Sequence, residues 1–224
     1  MPRINANAFA DQLNIVSRIN RIRKLEKGLK KRILVLDGAM GTMIQNHPLE
    51  EKDFRGESFG SAQINQKGNN DLLTLSQPNL ISDIHRSYLD ANADIITTNT
   101  FSSTRVAQAD FGMDHLAYDL NLKAAKIARI VADEKTEIDT SKPRFVAGVL
   151  GPTNRTASIS SDVNNPAMRN TTFDELVESY TEATKGLLIG GADFIMVETV
   201  FDTLNCKAAL FAINQILKEK NLKL

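Results

Sequence analysis

The sequence predicts an α/β fold of parallel strands joined by helices, and three observations carry that reading. Four short runs rich in β-branched residues, at 33–37, 94–99, 145–150 and 193–198, are apolar on both faces, as strands inside a parallel sheet are. Stretches with apolar residues at helical spacing separate them, so strand and helix alternate four times. Three of the four strands end in a polar residue, Asp37, Asn99 and Glu198. One such residue would be a helix cap, but three at equivalent positions suit the rim of a barrel, where ligands sit at the carboxyl ends of strands.

The elements follow in order. Segment 7–30 places Phe9, Leu13, Val16, Ile19, Ile22, Leu25 and Leu29 three or four residues apart, one apolar stripe on a helix whose other face is basic. Residues 1–31 are therefore read as a basic amphipathic N-terminal helix and residues 32–224 as the main domain. Such helices serve in organelle targeting, but a single serine, Ser17, and interrupting acids favour a helix packed across the bottom of the domain. The first strand, ILVLD, runs into Asp37, a turn holding Gly38 and Gly41, and a short helical pattern at 42–45.

The second helix, 79–91, has Ser76-Gln77-Pro78 as its start signal and Leu80, Ile84, Tyr88 and Leu89 along one face. Helices at 115–133, 173–189 and 203–219 follow by the same spacing. Strands two and four have matching lead-ins, Ala93-Asp94-Ile95-Ile96 and Ala192-Asp193-Phe194-Ile195, which align Asn99 with Glu198. Two long connections, 46–75 and 151–172, follow strand ends and so belong to the ligand face, as lids or binding loops.

With 224 residues, 42% of them hydrophobic, the chain can bury one sizeable core in one or two domains. Lys+Arg and Asp+Glu are equal at 27 each, which gives no electrostatic case for nucleic acid or membrane partners. The distribution is uneven, because residues 1–32 hold nine basic residues against Asp11 and Glu26, a net of +7. The lone cysteine, Cys206, allows no internal disulfide and points to a reducing compartment. No apolar run approaches the ~20 residues that span a bilayer. A cytoplasmic location is expected.

Two residues carry the chemistry. Asp37 and Glu198 close the first and fourth strands, and two carboxylates facing one cavity repel unless a cation lies between them. An α-ammonium group fits that position; the alternative is that each acid merely caps the helix after it. Gly38 and Gly41 let the backbone approach a ligand carboxylate. Arg155 and Arg169 in the second long connection are weaker candidates for a clamp. His47, His85 and His115 have no ligand spacing, and Cys206 reads as a small core thiol. No metal site and no catalytic residue are assembled from these residues.

Five segments, LDGAMGTMIQ, GNNDLL, TNTFSST, VAGVLGPTNRTASIS and ETVFDTLN, occur in this order between Arg32 and Ala212. They resemble the N-terminal homocysteine-binding domain of cobalamin-dependent methionine synthase. GPTNRTASIS and ETVFDTLN are more similar to that enzyme than to its betaine-dependent relatives. The resemblance implies a TIM (β/α)8 barrel, of which this chain would hold the first half as four βα units. It implies methyl transfer from methylcobalamin, itself remethylated by methyltetrahydrofolate, to zinc-activated homocysteine. The acids matched by Asp37 and Glu198 would bind the substrate ammonium, with Gly38, Thr42, Thr98 and Asn99 as weaker binding candidates.

The zinc-ligand cysteines of the family would lie beyond Leu224, so neither zinc nor cobalamin is expected to bind this chain alone. Its partners would be homocysteine, the second half of the barrel, and the folate, cobalamin and activation domains. The open strand edges of a half barrel are expected to make the chain alone self-associating and inactive. A cobalamin-independent homocysteine methyltransferase of betaine or S-methylmethionine type, or a non-catalytic amino-acid-binding module, are the other readings.

Overall fold

The computed structural model of the chain describes residues 15–220. Three strands, β1 (Ile95–Thr97), β2 (Phe145–Leu150) and β3 (Phe194–Val197), form a parallel sheet whose order is the chain order. Thr97 stands opposite Ala147, Ala147 opposite Phe194, and Val149 opposite Met196. Residues two apart share a face. Ile95, Phe145, Ala147, Phe194 and Met196 thus form one face, packed with Leu25 and Leu34. Ile96, Val146 and Leu150 face the other way, into the main core.

The helices are α1 (Ile15–Leu29), α2 (Met40–Gln45), α3 (Glu51–Arg55), α4 (Leu73–Ser76), α5 (Pro78–Asp90), α6 (Arg105–Gln108), α7 (Ala117–Ile138), α8 (Phe173–Gly190) and α9 (Thr203–Lys220). The four long helices read from periodicity are α5, α7, α8 and α9. Thr172 begins α8 with a reciprocal cap, its hydroxyl accepting from Glu175 N at 3.2 Å and its amide donating to Glu175 Oε2 at 2.8 Å. The main core lies between the sheet and α7, α8 and α9, where Tyr180, Leu176, Leu187 and the alanines Ala125, Ala128, Ala208 and Ala212 are buried.

The first expected strand is a correction. Of residues 33–37 only Leu36 pairs, through an isolated parallel bridge to Ile95. The reason is local: the Asp37 amide still donates to Ile95 O at 2.9 Å, but the next rung is lost because Thr97 N donates to the Asp37 side chain at 2.8 Å instead of to a main-chain carbonyl. A side chain has replaced a rung of the ladder, so three strands and a bridge stand where four strands were expected. Ile33 and Val35 remain exposed at this edge.

Phe9 and Leu13 of the expected N-terminal helix lie outside the described residues. The remainder, α1, crosses the amino ends of the strands. Its Arg18 Nη2 donates to Asp193 O at 3.1 Å, Arg21 Nε donates to Asp193 Oδ1 at 2.5 Å, and Leu25 packs on the sheet.

The matching lead-ins of strands two and four prove to be a structural repeat. Asn92 and Gly191 both hold left-handed backbone, with φ of 82° and 105°, followed in each case by Ala and Asp. Each Asp is buried, accepts the amide of the preceding strand segment (Val35 or Val146), and is paired with arginine. Burial pushes the Asp94 carboxyl up, but bonds from Arg32 and Val35 outweigh it and hold the pKa at about 2. A side chain at Gly191 would face both the positive φ and Arg129 Cγ at 2.9 Å.

His85 on α5 is fully buried, and neither ring nitrogen has a partner among the described residues. Burial lowers its pKa to about 4, against ~6.5 in an unfolded chain. The folded state thus prefers the neutral ring. Its stability contribution is complete above pH ~6.5 and declines as the pH falls towards 4. The variant His85→Leu should therefore resist acid better than the parent, with a gap widening to ~3 kcal/mol across that window. Urea denaturation of both proteins at several pH values reads the gap. The comparison cancels the opposite trend set by Asp37 and Asp71, whose raised pKa values favour the folded state in acid. Parallel pH profiles would contradict the neutral buried ring.

Candidate functional site

A cavity of about 600 Å³ opens at the carboxyl ends of the strands. The Asp37–Gly41 turn forms one wall, residues 68–71 and 97–102 another, and Phe111, Met196 and Glu198 complete it. The lining contains three acids, Asp37, Asp71 and Glu198, and no lysine, arginine or histidine. A site built this way favours a cation.

Asp37 is held from β1. Its Oδ2 accepts from Thr97 N at 2.8 Å and its Oδ1 from the Thr97 hydroxyl at 2.9 Å, while its own amide donates to Ile95 O at 2.9 Å. Burial raises the Asp37 pKa to about 6, against the opposing pull of the Thr97 bonds, and the charge of Glu198 raises it further. Desolvation also pushes Glu198 upward. Among the described residues, no hydrogen bond reaches the Glu198 carboxylate. The residue after it, Thr199, takes a φ of 53°, rare for a β-branched side chain and a sign of local strain. The structure therefore brings the two acids read from the sequence to a single cavity.

The weaker candidates divide. Gly38 lines the cavity with Tyr88 packed against it, and an added Cβ would meet the ring at 3.1 Å. Asn99 also lines it, its Nδ2 donating to Asn70 O at 2.9 Å and to Thr74 Oγ1 at 3.2 Å. The Thr98 hydroxyl is occupied, accepting from Val149 N at 2.9 Å and lying 2.6 Å from Thr100 Oγ1, which donates to Val149 O. These hydroxyls continue the β1–β2 pairing beyond the end of the strand. Thr42 is exposed on α2 and is not among the residues lining the cavity.

Among the lining residues that had escaped the sequence reading, Thr97 and Asp71 make bonds that shape the site. Thr97 shares the inner face with Asn99 by simple alternation, but the register that points it at Asp37 is tertiary. Asp71 lay within GNNDLL as an acid ahead of an apolar pair. It is buried, accepts from Ser102 N at 2.9 Å and from the Ser103 hydroxyl at 2.7 Å, and has a pKa raised to about 6 by burial. It ties the 68–72 segment to the loop after β1.

The two long connections are ordered by their own polar residues. In the first, Glu51 accepts from Gln66 N at 2.9 Å and from Lys67 N at 2.6 Å, closing a loop that contains α3. In the second, Asp202 accepts from Ser158 N at 2.9 Å and from the Ser158 hydroxyl at 2.8 Å. Asn205 accepts from Ala157 N at 3.0 Å and donates to Thr153 Oγ1 at 3.0 Å and Arg155 O at 2.7 Å. The ETVFDTLN segment thus clamps the GPTNRTASIS segment.

Asn205→Ala should release this loop. Loss of a buried pair costs ~1–3 kcal/mol locally, and hydrogen exchange at the Ala157 amide should accelerate accordingly. Unchanged protection there would show that Asn205 is not the clamp. Arg155 pairs with Asp110 at 3.1 Å, and Arg169 Nε donates to Ala157 O at 3.0 Å, so both serve the loop. Neither lines the cavity.

Among the described residues, no group of three or more His, Cys, Asp or Glu side chains is placed to hold a metal ion. Cys206 is half-buried rather than a core thiol, because α9 turns Ala208, Ala209, Ala212 and Ile216 inward and leaves Leu210 exposed. It lies with Tyr180 and Gly151 behind the Glu198–Asp202 turn. No described helix is long and apolar enough to cross a membrane.

Residues 34–223 match the family model described as homocysteine S-methyltransferase. Among solved structures, the chain is similar to the metallated form of the homocysteine methyltransferase MmuM from Escherichia coli, at 19% identity and a TM-score of 0.64, covering 84% of this chain and 61% of that one. The oxidized form of the same protein matches at 21% identity and 0.63, covering 84% and 60%. Its apo form matches at 20% and 0.57, covering 84% and 57%. The likeness is one of fold, and the chain spans about three-fifths of the length of these structures.

Proposed function

The chain belongs to the homocysteine S-methyltransferase family, and from that premise we propose that its cavity binds homocysteine, with Asp37 and Glu198 holding the α-ammonium group. One observation carries the reading: two carboxylates line a common cavity that has no basic side chain, and each is pushed towards its neutral form by desolvation. A bound ammonium relieves both. The Gly38–Gly41 backbone, at the start of α2 where amides lack helical partners, is assigned to the substrate carboxylate. Met196, Phe101 and Phe111 supply apolar surface for the rest of the molecule.

In this reading Thr97 and Asn99 act as positioning residues, Thr97 by holding Asp37 and Asn99 by anchoring the 70–74 segment. The reaction served is transfer of a methyl group to the homocysteine sulfur, giving methionine. We assign methylcobalamin as the donor on the GPTNRTASIS and ETVFDTLN segments. Three parallel strands in chain order, with helices between them, support assignment of the chain to the first part of a TIM barrel. The described residues do not form a zinc site, and activation of the thiol is assigned to none of them.

Titration calorimetry tests the recognition step on the chain itself. Homocysteine is compared with 4-sulfanylbutanoate, which lacks only the amine. Loss of a charge-assisted contact to two acids should weaken binding at least ~10-fold. Homocysteine affinity should also fall as the pH drops through about 6, because protonation of Asp37 removes its attraction for the ammonium. Equal affinity for the two thiols would overturn the proposal.

A further inference from the structure

We propose a second ligand site, for a polyphosphate-bearing anion, at the opposite end of the sheet from the cavity described above. A pocket of about 320 Å³ lies between α1 and the turn that leads into β2. Four cations line it: Lys24, Lys27, Lys31 and Arg32. Arg32 is committed to Asp94 through two bonds of 2.6 and 2.7 Å. The three lysines are exposed, and none is ion-paired among the described residues.

The surroundings add positive charge. Asp94, the acid nearest the floor, is already met by Arg32 and by Lys142 at 3.7 Å, with Arg144 close enough to influence it. Asp139, the acid of the opposite turn, is occupied in accepting from Ser141 N at 3.1 Å and the Ser141 hydroxyl at 2.6 Å. Four of the nine basic residues of segment 1–32 line this one pocket. The substrate cavity makes no use of them.

The shape selects the ligand class. Lys24 and Lys27 lie one turn apart near the end of α1, roughly 5 Å along its axis, and Lys31 follows in the turn beyond Leu29, a spread that suits a chain of linked phosphates better than one compact anion. Lysine meets phosphate as a point charge and tolerates that spread. The Thr140 hydroxyl adds a donor at the rim, and Leu34, Pro143 and Phe145 form an apolar wall. The site is a recess rather than a long stripe, and the chain has no net positive charge to draw it to a nucleic-acid polymer.

Calorimetric titration of the full chain with tripolyphosphate and, separately, with ATP tests the site. Saturable one-to-one binding is expected, weakening as salt rises from about 50 to about 200 mM. The triple variant Lys24→Ala, Lys27→Ala, Lys31→Ala should lose at least about tenfold in affinity with an unchanged melting curve, because these side chains are exposed. Lys218→Ala, on α9, should bind as the parent does. Tighter binding of ATP would place the nucleoside on the apolar wall, whereas equal binding would assign the phosphate chain alone; either upholds the site. Absence of saturable binding, undiminished binding by the triple variant, or preference for a single-stranded oligonucleotide over both triphosphates would overturn it.

Discussion

Asp193→Ala is expected to destabilise the chain by ~3–5 kcal/mol, the cost of removing one partner from a buried charge cluster. The carboxylate is fully buried and bonds Arg21 Nε at 2.5 Å, Arg129 Nη1 at 2.8 Å and Val146 N at 2.8 Å. Its loss leaves the buried Arg129 guanidinium without that partner inside the core and strands an amide of the central strand. Arg21 reaches this carboxylate from α1, so the attachment of that helix should weaken as well, although Arg18 keeps its bond to the Asp193 main-chain carbonyl. Asp193→Asn, which keeps the shape and one acceptor, should fall between the parent and the alanine variant. Asp83→Ala is the control, since its side chain is 72% exposed and its pair with Arg86 is a surface one worth ~0–1 kcal/mol. Denaturant unfolding reads all three. A loss below ~1 kcal/mol for Asp193→Ala would mean that the cluster is not what secures β3 and α1.

That cluster shows where the sequence was legible and where it was not. The paired lead-ins Ala93-Asp94 and Ala192-Asp193 were visible as a repeat, and the periodicity of α5, α7, α8 and α9 followed from burial of one helical face. The roles of the two aspartates were hidden, because their partners Arg32, Arg21 and Arg129 lie 62, 172 and 64 residues away. The failure of residues 33–37 to form a full strand has the same origin. A β-branched run states a preference, while the Thr97 amide that would extend the ladder is claimed by the Asp37 side chain.

The site divides along the same line. Asp37 and Glu198 could be read because strand ends in a parallel α/β fold converge. Thr97 could not, since which of two alternate faces turns inward depends on the β1–β2 register. Thr98 was a weaker candidate through the family resemblance; it lines the cavity, yet its hydroxyl is used to extend the sheet. The acids Asp202 and Asp71 needed the loop contacts to acquire a meaning.

Asp37→Asn is expected to weaken homocysteine binding at least ~30-fold, the equivalent of ~2 kcal/mol, without loss of stability. The two effects separate because the ionised carboxylate is disfavoured where it sits: its pKa is raised to about 6 by burial and by Glu198, so the folded state gains nothing from its charge at neutral pH. The amide can still accept from Thr97 N. Glu198→Gln should show the same split. A variant that loses stability and affinity together would point to a structural acid, the cap reading weighed against the ammonium clamp.

The most direct measurement follows the Asp37 carboxyl itself by carbon-detected NMR titration, with and without homocysteine. In the free protein it should titrate near 6. With homocysteine bound, the ammonium should pull that midpoint down into or below the usual carboxylate range, ~4 or less. A midpoint that stays in place when homocysteine saturates the cavity would show that no cation has come between Asp37 and Glu198.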